Sequence, residues 1–182
     1  MVDRYAMVPV ALPGHVRVTQ VAAGKAFSLA VTEDGRVWSW GCNVKGELGL
    51  GDTVARLLPE MVEGKLAEET VEAVSAGFEH VVALTKQGVL YVWGSNDRGQ
   101  LGTGEDAAYH MVPTQIGGSV FGIKFAHIAA GLKHCIVASK SGEVYAWGAN
   151  DFGQLGLGDV EDRKNPAAIL SKFTRSRISR VR

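Results

Sequence analysis

A Trp-Gly pair followed by a Gly-x-Leu-Gly turn recurs three times in this chain. That recurrence limits the fold more than any other feature. It reads Trp40-Gly41 with Gly46-Glu47-Leu48-Gly49, Trp93-Gly94 with Gly99-Gln100-Leu101-Gly102, and Trp147-Gly148 with Gly153-Gln154-Leu155-Gly156. The tryptophans stand 53 and 54 residues apart. A period of that length means that one supersecondary unit is copied, and that each copy covers its apolar faces with its neighbours.

Further landmarks keep the same register. A small-small-Gly triplet precedes each Trp-Gly: Ala22-Ala23-Gly24, Ser75-Ala76-Gly77 and Ala129-Ala130-Gly131. The small residues predict close approach of backbones near a crowded centre, and the glycines Gly24, Gly77 and Gly131 predict a sharp turn. A β-prone run then turns at Asp34-Gly35, Gln87-Gly88 or Ser141-Gly142 into the strand that ends in Trp-Gly, which reads as a hairpin. Trp38/Trp40, Tyr91/Trp93 and Tyr145/Trp147 are two apart, so each pair shares one face. Pro-containing stretches at 8–12, 58–62, 112–116 and 165–169 read as outermost strands, where a missing N–H costs no ladder bond. The segment 65–72 has the composition of a helical turn but reads first as a rim loop between the outer strand and the next inner one.

The strands are apolar on both faces, so each small sheet needs a neighbour on either side. The expected fold is all-β: a partial β-propeller of three four-stranded antiparallel blades, with strands of flanking blades at the ends. The repeats run approximately 22–74, 75–128 and 129–182, and 8–21 closes a preceding unit. The array opens and ends mid-blade, with 178–181 read as a further inner strand. The expectation is a segment of a longer propeller, the alternative being a ring closed by another chain.

Composition narrows the partners. The chain has 182 residues and 46% hydrophobic content, with 19 Lys and Arg against 19 Asp and Glu. No global field favours nucleic acid or membrane. Five of the cations lie in 171–182, which leaves the remainder at a net of −5. That tail reads as a solvated edge, with a nucleic-acid or targeting patch as the sharper alternative. Cys42 and Cys135 form neither a disulfide framework nor a metal-ligand spacing, which fits a reducing compartment. The N-terminus has no secretory pattern and no apolar run is long enough to span a bilayer. The expected location is cytoplasm or nucleus.

These motifs resemble the regulator-of-chromosome-condensation repeat, whose unit carries small-small-Gly-x-x-His, then Gly-x-Val-Tyr-x-Trp-Gly-x-Asn, then Gly-Gln-Leu-Gly. Gly77-Phe78-Glu79-His80 and Gly131-Leu132-Lys133-His134 match the first element. Residues 142–150 match the second almost letter for letter. The first unit departs, with Phe27 in place of His and Glu47 in place of Gln. The resemblance covers roughly residues 8 to 181 and implies about seven blades in the complete family fold. On this reading Gly24, Trp40, Gly41, Gly77, His80, Trp93, Gly94, Gly131, His134, Trp147 and Gly148 form the structural signature.

Little in the sequence points to resident chemistry. His80 and His134 occupy equivalent places in different units, and read as imidazoles hydrogen-bonded inside their own blades rather than as metal ligands. His15, His110 and His127 show no ligand spacing. Gly156-Leu157-Gly158-Asp159 lacks the Lys and the strand-to-helix context of a phosphate loop. No Gly-x-Ser-x-Gly elbow is present. Light sensing, which one branch of the family performs, is not expected, because that branch's Gly-Trp-Arg-His-Thr signature is absent. No catalytic residue, cofactor or metal is assigned.

Acidic turns follow each Gly-x-Leu-Gly. Asp52, Glu105, Asp106, Asp159 and Asp162 would lie on one rim of a ring; solvation of the loops is the plainer reading, and the sharper one makes them candidate partner-binding residues that meet a basic surface. The simplest function is a non-catalytic protein-interaction module, probed by one protein partner on one face. The resemblance implies an alternative, a guanine-nucleotide exchange factor for a Ran-like small GTPase, acting without covalent chemistry. Units of 53 and 54 residues leave little room for the extra wedge hairpin that the founding member projects into its GTPase. Chromatin binding is a third reading, to which the zero net charge lends little.

Overall fold

The structure is a computed structural model that describes residues 9–169. It consists of three four-stranded antiparallel sheets, each a simple meander. The first holds β1 (Val18–Ala23), β2 (Phe27–Thr32), β3 (Val37–Gly41) and β4 (Arg56–Met61). The second holds β5 (Val71–Ala76), β6 (His80–Thr85), β7 (Leu90–Ser95) and β8 (Tyr109–Gln115). The third holds β9 (Phe125–Ala130), β10 (His134–Ser139), β11 (Val144–Gly148) and β12 (Arg163–Ala168). The sheets begin and end in the Pro-containing and small-residue strands, so the sequence period counted from small-small-Gly cuts each inner strand near its end.

Strand periodicity explains the stacking. On β6, Val81 and Ala83 join an apolar cluster with Phe27, Leu29, Val31, Val37 and Leu48 of the first sheet. Their neighbours Val82 and Leu84 point the other way, into a cluster with Cys135, Val137, Tyr145 and Trp147 of the third. The middle sheet is therefore covered on both faces, and β6 and β7 are buried at every position. The inner strands β1, β5 and β9 approach one another along the centre of the arc. Gln20 ties two of them: its side-chain amide donates to the Val74 carbonyl at 3.0 Å and accepts the Val74 N–H at 2.9 Å. Ser75 likewise accepts the Ala130 N–H through Oγ at 2.9 Å.

Several expectations are corrected. Residues 9–12 form no strand and lead into a 3-10 turn at Pro13–His15. The loop at 65–72 holds a 3-10 helix, Gly64–Glu68, whose Leu66 is buried, and then the start of β5. Gly24, Gly77 and Gly131 do open the sharp turns between paired strands, each N–H donating to the carbonyl three residues on, but none has a positive φ. Each lies beneath the ring three residues on, and an added Cβ would overlap Phe27, His80 or His134. Within the turn the glycine leaves room for a ring. The outer strand expected at the C-terminal end is β12, and the inner strand at 178–181 lies outside the described residues.

Candidate functional site: the blade boundary and the rim

The repeated tryptophan is the bond between one sheet and the next. Trp93 Nε1 donates to the Glu47 carbonyl at 2.8 Å, and Trp147 Nε1 donates to the Gln100 carbonyl at 2.9 Å. Both indoles are fully buried. The acceptor is the variable residue of Gly-x-Leu-Gly, so the Trp of one unit reads the turn of the unit before it. Gly49 and Gly102 complete the fit: a Cβ on either would press on the Trp93 or Trp147 indole.

The same turns explain the tolerated Gln-to-Glu departure. Gln100 Oε1 accepts the Arg98 N–H at 2.8 Å, and Gln154 Oε1 accepts the Phe152 N–H at 2.9 Å. Glu47 does the same with Oε2 for the Lys45 N–H. Gln100 Nε2 also donates to Ser95 Oγ and Asp97 Oδ1, but Cys42 and Val44 stand at those places in the first unit, so there the turn uses only the acceptor oxygen that Glu47 supplies.

The histidine element behaves differently from its expected role. His80 is fully buried, and its Nε2 lies 3.3 Å from Cys135 Sγ on the neighbouring sheet. The contact crosses the blade boundary; it is not internal to the blade. His80 Nδ1 has no hydrogen-bond partner. Burial, with a smaller contribution from His134, lowers its pKa to about 4, so the ring is neutral at pH 7. Burial also lowers His134 and pushes the Cys135 thiol up. Phe27 takes the equivalent place on the first sheet because it packs in an apolar cluster with Val81, where no thiol awaits it. Among the described residues no group of three or more His, Cys, Asp or Glu side chains is placed to hold a metal.

The rim turns are pinned by asparagines that the sequence reading noted only as part of the repeat. Asn43 Nδ2 donates to the Asp52 and Val54 carbonyls, and its Oδ1 accepts the Leu48 N–H. Asn96 holds the Glu105 and Ala107 carbonyls and the Leu101 N–H in the same way. Asn150 holds the Asp159 carbonyl and the Leu155 N–H. Asn43 and Asn150 are fully buried and Asn96 nearly so. The available signal was an Asn at a fixed offset from each Trp-Gly, a polar residue with no surface reason to recur.

The five candidate acids all lie in or beside these turns, and Asp52, Asp106, Asp159 and Asp162 are ion-paired. Asp52 meets Arg56 at 2.7 Å, and Arg56 also meets Glu60. Asp159 meets Arg163 at 2.6 Å. Asp162 is held by Arg98, which also reaches Asp151 at 2.8 Å, and Asp106 is held by Lys164 of the next sheet. Glu105 lies 3.2 Å from His110 Nε2. Arg56 and Arg163 follow Asp52 and Asp159 at the same offset; His110 stands at that place on the second sheet. The Arg56 guanidinium holds the Asp52 carboxyl below the usual range, and Lys164 and Arg98 do so for Asp106 and Asp162. For Asp159 the backbone N–H of Glu161 is the main cause, with Arg163 adding to it. Four of the five carboxylates thus each have a nearby cation.

Between the turns the rim carries exposed apolar side chains, Val54, Phe152 and Val160, with Phe152 92% exposed. Beside it a groove of about 910 Å³ runs between β4 and β8, lined in part by Leu50, Arg56, Glu60, Val112 and Thr114. No helix among the described residues is long and apolar enough to cross a membrane.

Comparison with known proteins gives one consistent result. The family model described as the RCC1-like domain matches residues 3–181. The chain is 38% identical over 179 residues to the ultraviolet-B receptor UVR8 of Arabidopsis thaliana, covering 98% of this chain and 40% of that protein. It is 40% identical over 172 residues to the human E3 ubiquitin-protein ligase HERC2, covering 93% of this chain and 4% of that one. Among solved structures, Prp20p of Saccharomyces cerevisiae superposes with a TM-score of 0.75 at 26% identity, over 86% of this chain and 39% of that chain. The chain thus spans well under half the length of each of these relatives.

Proposed function

Since the chain belongs to the RCC1-like domain family, we propose that it is a protein-interaction module with no bond-making chemistry of its own. Its docking surface is the rim formed by the turns after β3, β7 and β11, and the acids Asp52, Glu105, Asp106, Asp159 and Asp162 set the register of those turns. The observation that carries this reading is the contrast within the first and third turns. The asparagine and the carboxylates are consumed by internal bonds, while Val54, Phe152 and Val160 are displayed. A rigid frame with exposed, variable tips suits recognition of a partner. The partner surface would be apolar at its centre and polar at its margin, with charge guiding the approach. The test is cross-linking mass spectrometry in cell extract with the wild-type chain and with a Phe152→Ser, Val160→Ser double variant. A partner cross-linked to the rim and lost in the variant supports the reading; undiminished cross-links, or cross-links only elsewhere, sink it.

A second reading is guanine-nucleotide exchange on a Ran-like small GTPase. The observation in its favour is the likeness to Prp20p, whose structure is described together with its binding to Gsp1p and histones. Exchange would operate by preferring the nucleotide-free GTPase, with no covalent step. A nucleotide-release assay with Ran decides it: no acceleration at micromolar chain excludes exchange by this segment. Chromatin binding would rest on 171–182, which lie outside the described residues. Salt-sensitive nucleosome binding lost on deleting that tail would support it. Either reading places the chain in the cytoplasm or nucleus, which a fluorescent fusion would test.

A further inference from the structure

The two ends of the strands treat their cations differently. At the rim end Lys25, Arg56, Arg98, Lys133, Arg163 and Lys164 each meet a carboxylate. At the opposite end the hairpins β2–β3, β6–β7 and β10–β11 turn. There Lys86, Lys124 and Lys140 are exposed and form no salt bridge among the described residues. The backbone gathers them at the boundary between the second and third sheets. Lys86 stands two residues before Gly88 in its hairpin turn, and the Gly88 carbonyl accepts the Phe125 N–H at 3.0 Å. A Cβ on Gly88 would lie 3.1 Å from Lys124 Cβ. The Lys140 N–H donates to the Lys124 carbonyl at 2.7 Å. Glu143, the acid that follows Lys140, accepts the Ser141 hydroxyl at 3.0 Å.

A cavity of about 130 Å³ opens beside the lysines, lined in part by Val89, Ile116, Val120, Phe121, Ile123 and Lys124. Phe121 is 77% exposed. The volume suits one apolar side chain, since an apolar cavity of about 150 Å³ holds a benzene. The fold does not demand this arrangement. The Ile123 N–H bonds the Val120 carbonyl as the Glu69 N–H bonds that of Leu66, so the same connection at the first boundary reads Ala67-Glu68-Glu69-Thr70 where this one reads Phe121-Gly122-Ile123-Lys124. Glu33 stands there in the place of Lys86. A residue needed for packing would recur; these four positions exchange acids and small residues for cations and an aromatic ring.

We propose that this end of the second boundary binds an acidic segment of a partner protein. Its carboxylates meet Lys86, Lys124 and Lys140, and one apolar side chain enters the cavity against Phe121. Uncompensated cations select an acidic partner and set its register. A nucleic-acid backbone would use the lysines but leave the cavity unfilled, and three cations release few counterions. A bilayer would gain only a marginal anchor from one exposed ring. The surface lies at the other end of the strands from the rim turns, so neither depends on the other.

Fluorescence anisotropy on the whole chain tests the proposal, with a labelled decapeptide that carries one leucine between runs of glutamate. The wild-type chain should bind it at micromolar concentration and less well in high salt. Serine in place of the leucine should weaken binding about ten-fold, and glutamine in place of the glutamates should abolish it. A Lys86→Gln, Lys124→Gln double variant should lose about ten-fold in affinity with an unchanged near-UV circular dichroism signal. Phe121→Ser should erase the preference for leucine and keep the salt dependence. The Phe152→Ser, Val160→Ser rim variant should bind the peptide normally. No binding by the wild-type chain, equal binding of the leucine and serine peptides, or undiminished binding by the lysine variant overturns the proposal. So does preferential binding of an oligonucleotide or of phosphatidylserine vesicles through the same lysines.

Discussion

Trp93 and Glu47 lie 46 residues apart in sequence and on different sheets, yet the Trp93 indole donates to the Glu47 backbone carbonyl at 2.8 Å. The bond is buried, and the side chain of Glu47 has no part in it. Trp93→Phe leaves that carbonyl without a partner inside the boundary, at a cost of about 1–3 kcal/mol. Trp147→Phe should behave alike. Trp40→Phe, measured in dilute solution, should cost well under half as much, because Trp40 makes no equivalent bond among the described residues. Urea unfolding of the three variants gives the comparison, and equal losses at all three sites would refute the latch.

Gly77 is required by space, not by backbone conformation. A methyl group there meets the His80 ring and the Gly131 carbonyl. Gly77→Ala should therefore destabilise by about 1–3 kcal/mol through overpacking. Gly117 has no atom within 4 Å of an added Cβ and no positive φ, so Gly117→Ala should stay within about 0.5 kcal/mol of wild type. Thermal melts of the pair would show whether the cradle is as tight as the geometry indicates.

The buried His80 gives the fold a weakness on the acid side. Its folded pKa of about 4 lies below the unfolded value of 6.5, so between those limits the unfolded chain binds more protons. Stability is full above pH 6.5, declines as pH falls towards 4, and loses up to about 3 kcal/mol across that window. The lowered carboxyls of Asp52, Asp106 and Asp162 act later: their contribution is present above their ordinary value of 3.8 and is lost as pH falls through their lower folded values. His80→Phe copies the first sheet, where Phe27 holds the place, and should flatten the stability profile between pH 4 and 6.5. An unchanged slope in that variant would assign the acid weakness to another group.

Cys135 and Cys42 should separate cleanly in thiol chemistry. Cys135 is fully buried, and burial pushes its thiol up, so little reactive thiolate is present. Cys42 is partly exposed. Native protein should react rapidly at one thiol per chain, and the second should appear only in denaturant. Slow labelling of Cys135 would then report opening of the boundary between the second and third sheets. Two fast thiols in the native state would contradict the packing.

His110 offers a gain instead of a loss. Arg56 and Arg163 hold the acidic turns of the first and third sheets, and His110 stands in their place on the second. His110→Arg supplies a permanent cation beside Glu105 and should stabilise the chain by up to about 1 kcal/mol at neutral pH, with the gain shrinking in high salt. A destabilised variant would show that the bond between His110 Nδ1 and Thr114 Oγ1 matters more than charge.

The sequence by itself determined the architecture, because the fold is written as a period. Trp40, Trp93 and Trp147 with their glycine turns set the unit, and the two-faced apolar strands demanded neighbours on both sides. It could not say which atoms hold neighbours together. Trp93 to Glu47, His80 to Cys135 and Gly77 beneath a ring are contacts between places that come together only when two sheets stack. A backbone carbonyl as acceptor leaves no mark in the amino-acid string. The rim shows the same limit. Its acids were legible as a repeated charge, but their neutralisation was not, since Asp106 meets Lys164 and Asp162 meets Arg98 across a sheet boundary. Tertiary structure decided which cations meet those carboxylates, because only packing brings the matching side chains within reach.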